Sequence, residues 1–458
     1  FSLLALMTNL GVVMGKDLFT IFIFFELMGI LSYVLIIHTE KEEAFHAGKK
    51  YLIMTITGGL ILLAGIFIYF NLTGTLDLYA HTITYTSKNT FRIFAAFFLI
   101  TGFGVKAGMV PLHVWLPDAN PAAPTPASAI LSGVMIKAGA YGILRVTQLP
   151  FFSRAKEFSF YMSYTVIWVG IITMFVGVIL ALLQSNAKRL LAYHSISQMG
   201  YILMGIGCAV YLGTKGAIGL AGSVYHIINH ALFKSSLFFA AGAVYLQTKE
   251  NNLYNLGGLR KKMPYLTVFT IIAACGISGI PLFNGYISKT ILHHAIIESY
   301  NLKHDIWLKA AEIIFIITSA GTVCSFIKFT GLTFFGTSKL TIEIKEPPFW
   351  INLPPVILAI TIIFLGLFPN YSINNFFLPV LDRYYNLEEL SLLKHLSFWD
   401  MHNLSGIIIP VAGGTIVFLM GMRFGLFHLH IPAQIGFDFW YLKIAILFEN
   451  IIYKGYEI

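Results

Sequence analysis

Charge is what this sequence has least of. Of its 458 residues only 11% are Asp, Glu, Lys or Arg, whereas 57% are hydrophobic and the mean hydropathy is +0.77. That scarcity excludes an ordinary soluble domain and leaves an all-α polytopic membrane protein. A long Lys/Arg run is also lacking, so the formal charge of +9 fits basic membrane loops and gives no nucleic-acid signal. Cysteine is scarce too: Cys208, Cys275 and Cys324 lie far apart in apolar runs, without the close spacing of a cluster or zinc site. The paired His293 and His294, and the HLH at 428–430, come without further ligands and read as loop histidines at membrane interfaces. The chain is therefore expected to bind no cofactor and no metal, and any redox chemistry belongs to a partner.

What is abundant is apolar sequence. Runs near 1–14, 18–37, 50–70, 91–110, 126–148, 160–183, 189–212, 216–246, 264–297, 306–336, 353–370 and 405–427 give about twelve spans, at ~20 residues for a ~30 Å hydrocarbon core. Forty Phe and 23 Tyr suit lipid-facing and interfacial positions. The expected location is the cell inner (cytoplasmic) membrane, multi-pass. A slight Lys/Arg excess places the side holding Lys49, Lys50, Lys188, Arg189 and Arg260 to Lys262 in the cytoplasm. The first residue is Phe inside an apolar run, so a longer polypeptide is expected. The loop from Asn370 to His402 reads as a peripheral amphipathic segment. The tail FDFWYLKIAILFENIIYKGYEI, interrupted by Lys443, Glu449 and Asn450, reads as a helix along the membrane or a neighbouring subunit, with a final span as the alternative.

The few charges inside the spans carry the chemistry. The stretch from Leu99 to Tyr141 sets Lys106 just before Pro111 and Lys137 in the next apolar run. Hydrocarbon tolerates interrupted helix only where the freed backbone is covered by protein or lines a hydrated cavity, so the prolines predict a broken helix facing an internal polar path. Buried ammonium groups are costly and are kept for a reason. Glu26 is the sole charge between Asp17 and His38. His226 and His230 share a helix face, with Lys234 one turn further, and three titratable groups stacked in an apolar run read as a proton relay. His194 reads equally as a further station or as an interfacial histidine. Lys328 is explained by snorkelling, and Lys16, Lys41, Lys49 and Lys50 read as loop charges.

The run PLHVWLPDANPAAPTPASAILSGVMIKAGAYGILR resembles the antiporter-like proton-translocating subunits shared by respiratory complex I, Mrp-type sodium/proton antiporters and membrane-bound hydrogenases. FFELMGILSY, NAKRLLAYHSISQMGYI, YHIINHALFKSSLFFAAGAVY and GIPLFNGYISK extend the resemblance over most of residues 20–300. It implies that Glu26 pairs with Lys106, and that about three more helices precede the one that carries Glu26. It also implies two inverted five-helix repeats, each with a broken helix. Five spans end near residue 148 and five fill 160–336, an odd number that inverts the second set. Residues 1–148 are thus expected to form the first repeat, 160–336 the second, and 337–458 an accessory region. The fourth member of each set carries a break and a lysine: Pro111 with Lys106, and Pro281 with Lys289. A break at Pro281 returns Lys289 to mid-membrane depth.

At an effective dielectric of ~20 and ~4 Å, Glu26 and Lys106 would interact by roughly 4 kcal/mol, against about 2.3 kcal/mol to move one charge across 100 mV. Making and breaking that pair is sufficient to push a proton from Lys106 through Lys137, His226, His230 and Lys234 to Lys289. The expected function is an ion-translocating subunit, for protons or sodium and protons, in a complex I-like, hydrogenase or Mrp-type assembly. Its partners would be other membrane subunits, further antiporter-like ones among them, redox subunits carrying iron–sulfur clusters, and lipid. A stand-alone sodium/proton transporter is the alternative; an inert structural subunit does not account for the buried charges.

Overall fold

A computed structural model describes residues 1–78, 89–149, 156–338, 340, 343–382, 384–386, 388–429, 436, 437, 439–441 and 443. The rest of the tail that begins at Phe437 lies outside the described residues. Among those described the chain is helical, with two isolated β-bridges and no strand. Among the described residues nine helices are long and apolar enough to cross a membrane, and Ser2–Met14 and Pro264–Ser278 are shorter apolar helices. The twelve runs seen in sequence are thus not twelve apolar spans of one kind. Ala187–Tyr211 and Asn284–Lys303 are long enough to cross but are diluted by polar side chains, and those side chains line the interior.

The first part comprises α1 (Ser2–Met14), α2 (Leu18–Ile37), α3 (Glu42–Thr73) and α4 (Asn89–Ala107). Then come α5 (Leu116–Ala122) and α6 (Thr125–Ile130), with α6 passing through a π-helical turn, Leu131–Met135, into α7 (Ile136–Thr147). The second comprises α8 (Lys156–Leu182), α9 (Ala187–Tyr211), α10 (Ala217–Thr248), α11 (Pro264–Ser278), α12 (Asn284–Lys303) and α13 (Ile306–Phe334). α14 (Phe349–Leu367) and α15 (Ile408–Phe424) follow. Short side chains that compete for backbone groups start several helices. Asp17 accepts from Thr20 N, Asn186 from Arg189 N, and Asp305 from Trp307 N.

Both expected breaks are present, and each is satisfied by protein. After α4, Trp115 Nε1 donates to Val105 O at 2.8 Å and Val110 N to Thr173 Oγ1 at 3.1 Å. These two bonds cover backbone that the interrupted helix frees. After α11, Gly279 takes the left-handed conformation (φ 78°), Ile280 N donates to Cys275 O, and Asn229 Nδ2 donates to Asn284 O at 2.8 Å. Gly285 then passes so close to α11 that a Cβ there would lie 1.8 Å from Gly276 O. Glycine is the residue that permits this approach.

Several expectations change in the fold. Lys50 is not a loop charge: it lies in α3 and pairs with Asp118 of α5 at 2.7 Å, while Arg189 of α9 holds the other carboxyl oxygen at 3.1 Å. Lys328 does not snorkel. It is fully buried and donates to Leu182 O and Gln184 O at 2.8 and 2.9 Å, where the last carbonyls of α8 lack helical partners. His293 and His294 sit on α12 rather than in a loop. The 370–402 segment is more than peripheral, since Leu390, Leu393 and Phe398 are buried in the main core and Tyr286 OH donates to Phe398 O at 2.7 Å.

Candidate functional site: a buried line of ionisable side chains

Lys106 ends α4 at the first break and is 2% exposed. Its ammonium donates to Tyr51 OH of α3 and lies 4.8 Å from that ring's centre. Glu26 of α2 is half-buried, and its carboxyl occupies the space beside Gly59, where a Cβ would come within 2.3 Å of Oε1. Oε1 is buried without a hydrogen-bond partner. Among the described residues no nitrogen–oxygen contact within 4.0 Å joins Glu26 to Lys106, yet the two are coulombic neighbours. The direct pair implied by the resemblance is therefore open in this structure. At about twice the 4 Å contact distance the attraction would fall to roughly 2 kcal/mol.

Lys137 lies two residues past the π-helical turn and is 7% exposed. Its ammonium donates to Ser132 O, a carbonyl inside that turn. π-helical turns free backbone groups and occur often at functional sites. Ser132 Oγ bonds Ser195 Oγ of α9, and Ser195 Oγ donates to Leu191 O at 3.1 Å. The ammonium of Lys234, on α10, donates to the same Leu191 carbonyl. Two lysines from different halves of the chain thus bind two backbone carbonyls, Ser132 O and Leu191 O, in segments that the Ser132 and Ser195 hydroxyls join.

His230 lies in coulombic reach of Lys137, Lys234, His226 and His194, and its ring runs parallel to that of His226 at 6.4 Å. Both ring nitrogens of His230, and both of His194, are buried without a hydrogen-bond partner among the described residues. That arrangement costs roughly 1–3 kcal/mol per group in a residue with only a packing role. His194, fully buried against Phe326, belongs to the interior and not to an interface. His226 Nδ1 meets Ser288 Oγ at 2.9 Å and Nε2 meets Gln198 Oε1 at 3.1 Å. Ser288 precedes Lys289, which follows the second break on α12 and is 6% exposed. Its Nζ lies 5.1 Å from the centre of the Tyr201 ring and has no hydrogen-bond partner among the described residues. Lys289 is also within coulombic reach of His226 and His194.

All seven sequence-chosen residues are thus inside the helix bundle. Glu26 and Lys106 form one group, and Lys137, His226, His230, Lys234 and Lys289 a second. The sequence reading missed the polar connectors Tyr51, Ser132, Ser195, Gln198 and Ser288. Their signal was weak but present, since each is a polar side chain in an apolar run within a few turns of a buried charge.

Residues 15–315 match the profile of the family described as NADH:quinone oxidoreductase/Mrp antiporter, TM. Na(+)/H(+) antiporter subunit A1 of Staphylococcus haemolyticus is 33% identical over 466 residues, covering 96% of this chain and 56% of that protein. Subunit A1 of Staphylococcus aureus is 33% identical over 473 residues, covering 98% of this chain and 57% of the relative. The chain therefore spans little more than half the length of these relatives. Among solved structures, the Mrp complex from Dietzia sp. aligns with a TM-score of 0.70 at 22% identity, covering 93% of this chain and 79% of that one, and shares the fold. The membrane-bound sulfane sulfur reductase, an archaeal respiratory membrane complex, aligns at 0.71 and 26% identity, covering 90% and 76%. A multi-pass helical protein with this profile over most of its length belongs to the NADH:quinone oxidoreductase/Mrp antiporter membrane family.

Proposed function

We propose that the chain is an ion-translocating subunit of a multisubunit membrane assembly, in which Glu26, Lys106, Lys137, His226, His230, Lys234 and Lys289 pass protons along the membrane interior. The observation that carries this reading is the Lys137–Ser132–Ser195–Leu191–Lys234 series, which links two buried ammonium groups with, among the described residues, no carboxylate bound to either. Lys328 is also buried on carbonyl oxygens, but both of its acceptors lie at the end of one helix, whereas Lys137 and Lys234 come from two helices onto carbonyls that the serine pair joins. Protons are the natural cargo of amines and imidazoles; the relatives' names add sodium as the exchanged ion.

The two breaks, each with a nearby lysine, support reading residues 1–148 and 160–336 as inverted repeats and 337–458 as accessory. The relatives' names, each that of an antiporter subunit, support other membrane subunits as partners, and we count further antiporter-like subunits among them. Redox subunits carrying iron–sulfur clusters are the partners if the assembly is of the respiratory kind. A chain acting alone would be the alternative, and mass spectrometry of the intact assembly separates the two: co-isolated membrane subunits support the proposal, and a lone active chain refutes it.

A further inference from the structure

Beyond Lys289 the polar side chains continue. His293 lies one turn further along the same face of α12, and its Nε2 is 3.5 Å from Oε1 of Glu312 on α13. Lys309 holds the other oxygen of Glu312 at 2.7 Å. Lys289, His293 and Glu312 line one cleft of about 320 Å³, closed on its far wall by His402 and Asn403. Exposure rises outward along the series: Lys289 is 6% exposed, the His293 side chain 29% and the Lys309 side chain 45%. Glu312 is in the second turn of a spanning helix, 8% exposed. Glu312 thus puts a buried carboxylate on the cleft that the Lys289 amine also lines, with His293 on the same helix face between them.

We infer that Glu312 is the proton acceptor at the aqueous end of the path, taking a proton released by the Lys289 ammonium through His293 or water in the cleft and yielding it to bulk water past Lys309. The step breaks one N–H bond at Lys289 and forms one O–H bond at Glu312, and leaves Lys289 a neutral amine for the next proton. Ion pairing with Lys309 holds the carboxylate in place between transfers. His402 ends the 370–402 region and Asn403 follows it, so the end of that region forms a wall of the outlet.

This inference rests on the relay reading, and the test separates the two. Proton transport would be measured in vesicles with the whole assembly carrying Glu312→Gln, Glu312→Asp or Lys289→Leu. Expected are a drop of at least tenfold for Glu312→Gln, at least a third of the wild-type rate for Glu312→Asp, and block by Lys289→Leu. Full transport in Glu312→Gln with Lys289→Leu blocked overturns the role of Glu312 and leaves the relay standing. Full transport in Lys289→Leu overturns both. Should Glu312→Gln fail to assemble, Thr290→Cys in a Cys275→Ser background would be treated with a membrane-impermeant cationic methanethiosulfonate. Modification with at least tenfold loss of transport supports the outlet, and no modification from either side overturns it.

Discussion

Lys234 and Ser195 donate to one and the same acceptor, the carbonyl oxygen of Leu191. Through this shared oxygen the α10 lysine is tied to the serine pair that reaches Lys137. The tie is short, and it contains no charge that could trap a proton.

Removing the hydroxyl at either serine should therefore slow transport without harming the fold. Ser195→Ala and Ser132→Ala are each expected to lower the proton transport rate about tenfold, at a stability cost of ~1 kcal/mol for the lost hydrogen bond. The double variant should be little worse than either single, because both hydroxyls belong to one link. Vesicle transport rates and thermal melting of the purified assembly check this; multiplied losses would mean independent roles.

At Lys289 the chemistry of the group, not its bulk, should matter. Lys289→Glu keeps a titratable side chain and is expected to retain measurable transport, whereas Lys289→Leu should lose it by about 100-fold or more. A fully active Lys289→Leu would contradict the relay reading.

The second break should depend on Gly285. A methyl group there would meet the Gly276 carbonyl at 1.8 Å, a backbone contact that cannot rotate away. Gly285→Ala should destabilise the assembly by about 1–3 kcal/mol, read as a lower melting temperature. An unchanged melting temperature would show that α11 and α12 separate freely.

How much of this was legible in sequence follows from what each residue needs. Glu26, Lys106, Lys137 and Lys289 announce themselves, because an isolated charge in an apolar run has few structural excuses. The breaks were legible from Pro111 and Pro281 for a similar reason. Lys50 and Lys328 misled, since a lysine near a run's end looks alike whether it reaches headgroups, an aspartate of another helix, or the open carbonyls of one. The π-helical turn before Lys137 had no signal at all in LSGVM, and Tyr51 and Ser195 were hidden because hydroxyls are common in spanning helices. Glu312 has no place in the sequence reading, and only the tertiary approach of His293 sets it apart.

Outside the spans, Glu250 gives a pH-dependent element. Its carboxylate accepts from the backbone N–H groups of Asn251 and Asn252 and from Asn255 Nδ2, which hold its pKa below the usual value of 4.5. A depressed carboxyl contributes stability above its unfolded pKa and loses it as pH falls, so the loop after α10 should loosen on acidification below about pH 4.5. Hydrogen exchange of the 251–256 amides should rise on acidification relative to the intrinsic rate. Glu250→Gln should abolish that acid-dependent step, and its persistence would assign the step to another group.

The central claim, that protons cross between the two halves of the chain through buried lysines, is tested most directly at Lys137. Proton uptake would be followed in vesicles holding the intact assembly with Lys137→Leu, alongside quantification of the assembled subunits. The account predicts normal assembly with transport reduced about 100-fold or more. Wild-type uptake in that variant would contradict it.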